Sequence, residues 1–249
     1  MAEVREKMAW SLQEYRDIIS KYKPIICDYP DTAGRDSFCI IRHDVEFSVS
    51  RAFDLMKIDS ECGIRASFFF QVMNGAYNPL SVANRALIRQ IAEAGHHVGL
   101  HLYVSHIEPG DVATLRRELA FQRDILAAIL GRAVDRFSYH RPPRWVLALE
   151  EPVLDDIINA YAPEYFELTD GAPPAEILYM ADSQHNWKYG HPLDDSKYRK
   201  FQILLHADEW TGDGAEARDN FHELIERNRA EFVEIIRSEC NHYDRIMAN

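Results

Sequence analysis

The chain has 249 residues and a net charge of −12, with 47% hydrophobic and 27% charged residues. This length suits one large α/β domain or two small ones, and the composition is ordinary for a globular protein. The acidic balance argues against nucleic acid or an anionic membrane as partner, since both require clustered Lys and Arg. No apolar run approaches the roughly 20 residues that span a bilayer, and the N-terminus lacks the apolar core of a secretory signal. We therefore expect a cytoplasmic protein with no integral membrane segment.

Apolar runs and helical patterns alternate along the chain. Helices are predicted, in order, in WSLQEYRDIISKYK, SVSRAFDLMKIDSECG, LSVANRALIRQIAEAG, DVATLRRELAFQRDILAAILG and EARDNFHELIERNRAEFVEIIRSE. Strands are predicted in SFCIIRHD, RASFFFQV, HVGLHLY, DRFSYH, ILYMADS and FQILLH. Ser48 or Ser50 and Asp111 are the expected N-caps, and Gly131 is the expected end of its helix. Such alternation indicates βαβ units, and hence a parallel sheet or barrel with outer helices.

Several of the predicted strands end in polar or ionisable residues. In a parallel barrel the carboxyl ends of the strands meet on one face, where active sites are found. These residues are therefore expected to converge, and they are Asp44, Glu46, His101, His140, Asp182, Ser183 and His206.

Asp44 and Glu46 are two residues apart at the end of the first strand, so both side chains face one side if the strand extends that far. Two neighbouring carboxylates resist joint ionisation unless a cation lies close by. One of them can bind a divalent metal while the other serves as general base. The alternative is an ordinary turn, with Asp44 capping the next helix or paired with Arg42.

The histidines add candidates for metal binding and proton transfer. His101 is expected to face the barrel interior, as a hydrogen-bonded core residue or as a metal ligand beside a carboxylate. His106, in the following loop, is a possible second nitrogen ligand. His206 follows an apolar strand and precedes two acidic residues, a setting that suits a general acid for an amine leaving group.

Other side chains are candidates for substrate binding. His140 and Arg141 stand at a strand end before two prolines, where Arg141 can hold an anionic group or simply close the barrel mouth. Asp182 and Ser183 are expected in the pocket, and Trp210 is expected to pack against a sugar face. His185 is expected in an ordinary surface loop.

Five segments, in order, resemble the polysaccharide deacetylases of the NodB-homology group, which are similar to carbohydrate esterase family four. They are IIRHDVEFS, GIRASFFFQ, EAGHHVGLHLY, YHRPP and ILLHADEW, and the likeness spans roughly residues 38–210. Within the group the chain looks closest to the WbmS-type branch, which is associated with lipopolysaccharide O-antigen biosynthesis.

This resemblance implies a distorted (β/α) barrel that removes an N-acetyl or other N-acyl group from an amino sugar or glycan with the help of a divalent metal. Zn²⁺ is the first expectation, with Co²⁺ or Ni²⁺ as alternatives. Asp44 matches the general base, Glu46 and His101 match metal ligands, and His206 matches the general acid. Asp44 and His106 are further candidate ligands, and His140 and Arg141 match the pocket wall.

The chain departs from the family pattern in three places, one of which is HADEW, a segment that lacks the proline and second tryptophan of the branch's last motif. Glu46 stands where the family has an aspartate, and Ser105 occupies the place of the second histidine ligand, one residue before His106. Two alternatives therefore stay open: a non-catalytic barrel that binds or scaffolds glycans, and a hydrolase of another C–N bond. We expect a single domain over 1–249, with its core at about 38–210 and the N- and C-terminal helices packed on it. The sequence leaves the oligomeric state open.

Overall fold

A computed structural model describes residues 9–167 and 176–248. Residues 1–8, which belong to the N-terminal stretch without a signal-peptide pattern, lie outside these ranges. The helices of three or more turns are α1 (Leu12–Tyr22), α2 (Val49–Glu61), α3 (Val82–Glu93), α4 (Val112–Leu130) and α6 (Ala217–Glu239), and the short helices are α5 (Arg144–Leu147) and α7 (Tyr243–Met247). The strands are β1 (Phe38–Val45), β2 (Ser67–Phe70), β3 (His97–Tyr103), β4 (Arg136–His140), β5 (Ile158–Asn159), β6 (Ile177–Ala181) and β7 (Lys200–His206).

The strands form one seven-stranded sheet in the order β5-β4-β3-β2-β1-β7-β6. Every neighbouring pair is parallel. The sheet curls into a half-barrel, and in the described residues its edge strands β5 and β6 are not paired with each other. The predicted distorted (β/α) barrel with outer helices is therefore confirmed.

Local signals in the sequence account for where the main helices begin and end. The Ser48 hydroxyl accepts a hydrogen bond from the backbone N–H of Arg51, and the Asp111 carboxylate accepts one from Thr114. Gly131 ends α4 in the left-handed conformation, with φ 68°, which glycine adopts without steric cost. The predicted caps are thus confirmed, Ser48 being chosen over Ser50. The two-residue strand β5 and the one-turn helix α5 were not predicted, because elements this short carry no readable periodicity.

Alternation along β1 separates two layers of side chains. Ile41 and Val45 face outward into the large core shared with the helices, whereas Ile40 belongs to a smaller core inside the barrel. Arg42 and Asp44 lie on the same face of the strand as Ile40 and are fully buried. The inner face therefore changes from apolar to charged toward the carboxyl end of the strand.

The C-terminal helix α6 has little contact with the barrel. Only Asn220 and Leu224 of its 23 residues are buried, and both lie in its first two turns.

Within the described ranges, no helix is long and apolar enough to cross a membrane. The single-domain reading of the whole chain stays a prediction.

Candidate active site

A pocket of about 530 Å³ lies at the carboxyl ends of the strands. This is the face on which the sequence predicts convergence, and the volume lies within the range of about 300–1,000 Å³ common for small-molecule sites. The residues of the predicted set that line it are Asp44, Glu46, His101, Arg141, Ser183 and His206.

A carboxylate and two imidazoles meet at the pocket floor. Glu46 Oε1 lies 2.7 Å from His140 Nδ1 and 3.4 Å from His101 Nε2, and the two ring nitrogens are 3.2 Å apart. Burial on its own raises the pKa of Glu46. The hydrogen bonds from His101 and His140, together with the charge of His206, outweigh burial and hold this pKa well below its usual range. Each of the three side chains offers one possible metal-ligand atom, and we call this compact set the donor triangle.

The donor triangle fits a divalent cation in spacing and in chemistry. Ligand atoms about 2.0–2.1 Å from a tetrahedral zinc ion lie roughly 3.4 Å from one another, close to the separations seen here. One carboxylate with two imidazoles is also a donor set found in catalytic zinc sites.

The orientation of His101 also suits a ligand. The Ser138 hydroxyl donates to Asp44 Oδ1 (3.2 Å), so its oxygen is free to accept a hydrogen bond from His101 Nδ1, 2.7 Å away. With Nδ1 directed at Ser138, Nε2 is the atom that would offer its lone pair to a bound metal, and it lies on the side of Glu46. Such a hydrogen bond to the other ring nitrogen is the usual way in which proteins fix a ligating histidine.

A buried arginine holds the side chain of Asp44 from below. Its Oδ2 accepts a hydrogen bond of 3.0 Å from Arg42 Nη2, and both side chains are fully buried. The same guanidinium donates to Tyr161 (2.7 Å) and to Gln202 (3.0 Å). A buried pair of this kind needs such extra hydrogen bonds to offset the loss of hydration. The pairing of Asp44 with Arg42, raised as an alternative to a catalytic role, is therefore present, and Asp44 nevertheless lines the pocket.

His206 is set against a buried aspartate. Its Nδ1 lies 2.6 Å from Asp182 Oδ1, and its backbone N–H also donates to that carboxylate. Burial on its own lowers the pKa of His206, but the charge and hydrogen bond of Asp182 outweigh it and raise the pKa to about 10. The ring is therefore protonated at neutral pH, with Nε2 3.8 Å from Glu46 Oε1.

Three expected site residues are placed differently from the prediction. Trp210 does not offer its ring to a sugar, because it is 3% exposed and its indole N–H donates to Asp182. Asp182 is fully buried and contacts His206 rather than the pocket space. His106 is exposed, stacks on Tyr103 and is not part of the donor triangle.

His140 has a role that sequence reasoning missed. The strand-end position suggested a pocket wall, but its Nδ1 contacts Glu46 directly and its ring packs edge-on against His101. Residues at strand ends give no sign in the sequence of which of them will touch. The pairing of β3 with β4, which places Tyr103 opposite His140, is what brings the two histidines together.

The loop after β6 was expected to be an ordinary surface loop, and it is instead anchored. His185 Nδ1 lies 2.8 Å from Glu209 Oε2, and the side chains of both are less than 10% exposed. Gln184 and His185 are both left-handed, with φ 60° and 55°. Arg141, across the pocket, has φ 47° although it is not glycine and precedes a proline. Such conformations cost about 1–3 kcal/mol each and cluster at functional sites.

Comparisons with known proteins find similarity only among solved structures. No family model matches the chain, and no curated protein sequence does. A CE4 family pseudoenzyme from Bacillus anthracis is 12% identical, with a TM-score of 0.43 over 80% of this chain and 62% of that one. A chitin deacetylase from Colletotrichum lindemuthianum is 18% identical, with a TM-score of 0.42 over 76% of this chain and 81% of that one.

A family 4 carbohydrate esterase from Streptomyces lividans, in complex with acetate, is 15% identical, with a TM-score of 0.42 over 76% of this chain and 88% of that one. The chain spans less than two thirds of the length of the pseudoenzyme. A likeness at these identities and TM-scores does not assign a reaction to this chain.

Proposed function

We propose that the chain is a metal-dependent hydrolase that removes an N-acyl group, first of all an acetyl group, from an amino sugar. One observation carries the proposal. The donor triangle of Glu46, His101 and His140 shares a single pocket with a carboxylate, Asp44, and with a protonated imidazole, His206. Amide hydrolysis needs this combination, because a base must activate water and an acid must protonate the departing nitrogen.

The donor triangle would hold the metal. When bound, a divalent cation supplies Lewis-acid polarisation of the acyl carbonyl and makes water more acidic. One carboxylate and two imidazoles favour Zn²⁺, and Co²⁺ or Ni²⁺ would suit the same nitrogen and oxygen ligands. Asp44 Oδ2 lies 3.6 Å from His101 Nδ1, so the proposed base borders the triangle without belonging to it.

The chain's own groups account for both proton transfers. Water attacks the acyl carbon while Asp44 accepts its proton, and the hydrogen bond from Arg42 holds this carboxylate in position. The C–N bond then breaks, the nitrogen leaves with its electron pair, and the proton on His206 passes to it. The products are a carboxylic acid and a free amino sugar. Asp182 is a positioning residue, since it fixes the His206 ring and favours its protonated form.

The test measures acetate and free amine released from N-acetylated amino sugars, with and without Zn²⁺, Co²⁺ or Ni²⁺. Asp44→Asn should abolish turnover while leaving zinc affinity within about twofold, because Asp44 acts on water and not as a ligand. Asp54→Asn, on the exposed face of α2, is the matched control and should retain turnover. Full turnover by Asp44→Asn would show that the assigned base is wrong.

One observation favours the non-catalytic alternative, a barrel that only binds or scaffolds glycans. The carboxylate of Glu46 already lies within hydrogen-bond distance of both histidines, so the triangle is satisfied without an ion. Metal analysis of the purified protein separates the two proposals. Absence of bound metal and of metal-dependent stabilisation, with glycan binding intact, would favour the scaffold. A place in surface-polysaccharide or O-antigen assembly follows only from the sequence resemblance and stays a prediction.

A further inference from the structure

The mouth of the pocket carries polar side chains that the proposed hydrolysis does not use. In the loop after β6, alternate residues Gln184, Asn186 and Lys188 are exposed and line the pocket. The residues between them, His185 and Trp187, are turned inward. The loop therefore offers two amides and an ammonium group to whatever enters.

This presentation is built into the structure, because the loop is fixed from behind. Glu209 Oε1 accepts a hydrogen bond from the backbone N–H of His185 (3.0 Å). Its other carboxylate oxygen, Oε2, lies 2.8 Å from His185 Nδ1. Trp10 stacks on His185 with ring centroids 4.0 Å apart, and lies parallel to Trp187 at 6.0 Å. The left-handed backbone at Gln184 and His185 turns the chain so that these inward contacts and the outward side chains coexist.

A second cation borders the same pocket from β4. Arg141 follows His140 directly, is exposed, and keeps a left-handed backbone in front of Pro142. The structure shows no carboxylate partner for either Arg141 or Lys188 among the residues it describes. Lys188 lies 5.1 Å from the ring of Tyr189, its own neighbour in the loop.

The distribution of charge across the pocket indicates what the mouth binds. The floor is acidic, with Asp44, Glu46 and Asp208 among its lining residues, and the whole chain is strongly acidic. Arg141 and Lys188, which have no carboxylate partner within residues 9–167 and 176–248, stand beside two amides at the mouth of this pocket and are suited to anionic oxygens. A neutral sugar can accept hydrogen bonds from these side chains but leaves both positive charges without a counter-charge.

We infer that the substrate is an N-acyl amino sugar bearing an anionic group, phosphoryl or carboxylate, which Arg141 and Lys188 bind at the pocket mouth while the amide enters the floor. This inference rests on the proposed hydrolysis and names its substrate class. Gln184 and Asn186 contribute amide N–H donors to the same group. The pocket volume of about 530 Å³ admits a monosaccharide together with such a substituent.

The experiment compares deacetylation of four substrates by the zinc-loaded protein. They are N-acetylglucosamine 1-phosphate, UDP-N-acetylglucosamine, N-acetylmuramic acid and the neutral disaccharide N,N′-diacetylchitobiose. The first three separate a phosphate monoester, a diphosphate diester and a carboxylate as the source of the anion. Arg141→Gln and Lys188→Gln are the test variants. Arg35→Gln and Lys197→Gln are the controls, since each removes one exposed positive charge away from the pocket.

We expect at least one anionic substrate to exceed the neutral one in kcat/KM by about tenfold or more. Each test variant should lower that preference about tenfold, mainly through KM, as expected for loss of one charge-assisted contact. Neither control should change it. The preference should also weaken as salt is raised, because the contacts lie at an exposed mouth.

Two results would overturn the inference while leaving the proposed function intact. One is equal or better turnover of chitobiose by the unmodified protein, and the other is an anionic preference that survives both test variants. Calorimetry with glucosamine 1-phosphate against glucosamine gives a readout that does not depend on turnover. If no substrate is hydrolysed, yet glucosamine 1-phosphate binds tighter and loses this advantage in Arg141→Gln, the hydrolysis fails and the anion site is supported.

Discussion

Replacing Asp182 by Asn removes the anion that keeps His206 protonated. The carboxylate accepts from the His206 backbone N–H, lies 2.6 Å from its Nδ1, and accepts from the indole of Trp210 at 2.9 Å. An amide has one acceptor oxygen, so at least one of these donors faces an NH₂ group and loses its partner. The variant should therefore lose both the charge of the pair and a buried hydrogen bond.

The magnitude follows from the pKa of His206. It lies at about 10, against an ordinary value of 6.5. Since one pKa unit corresponds to about 1.4 kcal/mol, the surroundings favour the protonated ring by roughly 5 kcal/mol. Breaking a buried pair by removing one partner costs about 3–5 kcal/mol. We expect Asp182→Asn to lower the free energy of unfolding by a similar amount near pH 6.

The pH dependence has a definite sign. A raised folded-state pKa stabilises the protein fully below the unfolded value of about 6.5, and the contribution is lost as the pH rises toward 10. The difference in stability between the unmodified protein and Asp182→Asn should therefore shrink from pH 6 to pH 10. In the variant the charge and hydrogen bond of Asp182 are gone while the charges of Glu46 and Asp208 remain, so the pKa of His206 should fall well below 10.

Two measurements on the metal-free protein check this. Urea unfolding at pH 6 and pH 9.5 gives the stability difference, and NMR titration of the His206 ring gives its pKa. Asp195→Asn, in an exposed part of the same connection between β6 and β7, is the control and should change neither quantity. A His206 pKa that stays near 10 in Asp182→Asn, or a loss of stability below about 1 kcal/mol at pH 6, would show that Asp182 is not what keeps His206 protonated.

The remaining predictions concern the donor triangle and the packing of the barrel interior. Glu46→Gln and His140→Ala should each weaken zinc binding about 100-fold or more in calorimetry. His106→Ala should leave the zinc affinity within about twofold. Strong weakening by His106→Ala would instead identify His106 as a ligand. Gly99→Ala should lower the free energy of unfolding by about 1–3 kcal/mol, because a Cβ there would lie 2.6 Å from Phe69. Unchanged stability of Gly99→Ala in urea would show that the interior can repack around the extra methyl group.

Most of the fold is readable from the sequence because it depends on local periodicity. A continuous apolar run defines β1, alternating apolar residues define β3, and caps such as Ser48 and Asp111 define where helices begin. The convergence of charged strand ends also follows, because parallel strands place their carboxyl ends on one face. Asp44, Glu46, His101 and His206 can therefore be assigned to one pocket before any coordinates are known.

The contacts within that pocket were decided by tertiary structure. The pairing of β3 with β4 brings His140 beside His101, whereas His106 stacks on Tyr103 and stays outside the donor triangle. Trp210 and Asp182 are buried behind His206 rather than open to a ligand. These placements depend on strand register and on side-chain packing between distant segments. A single sequence indicates that the charged strand ends meet on one face, because parallel strands end together, but only the folded chain determines which of them line the pocket and which of them touch.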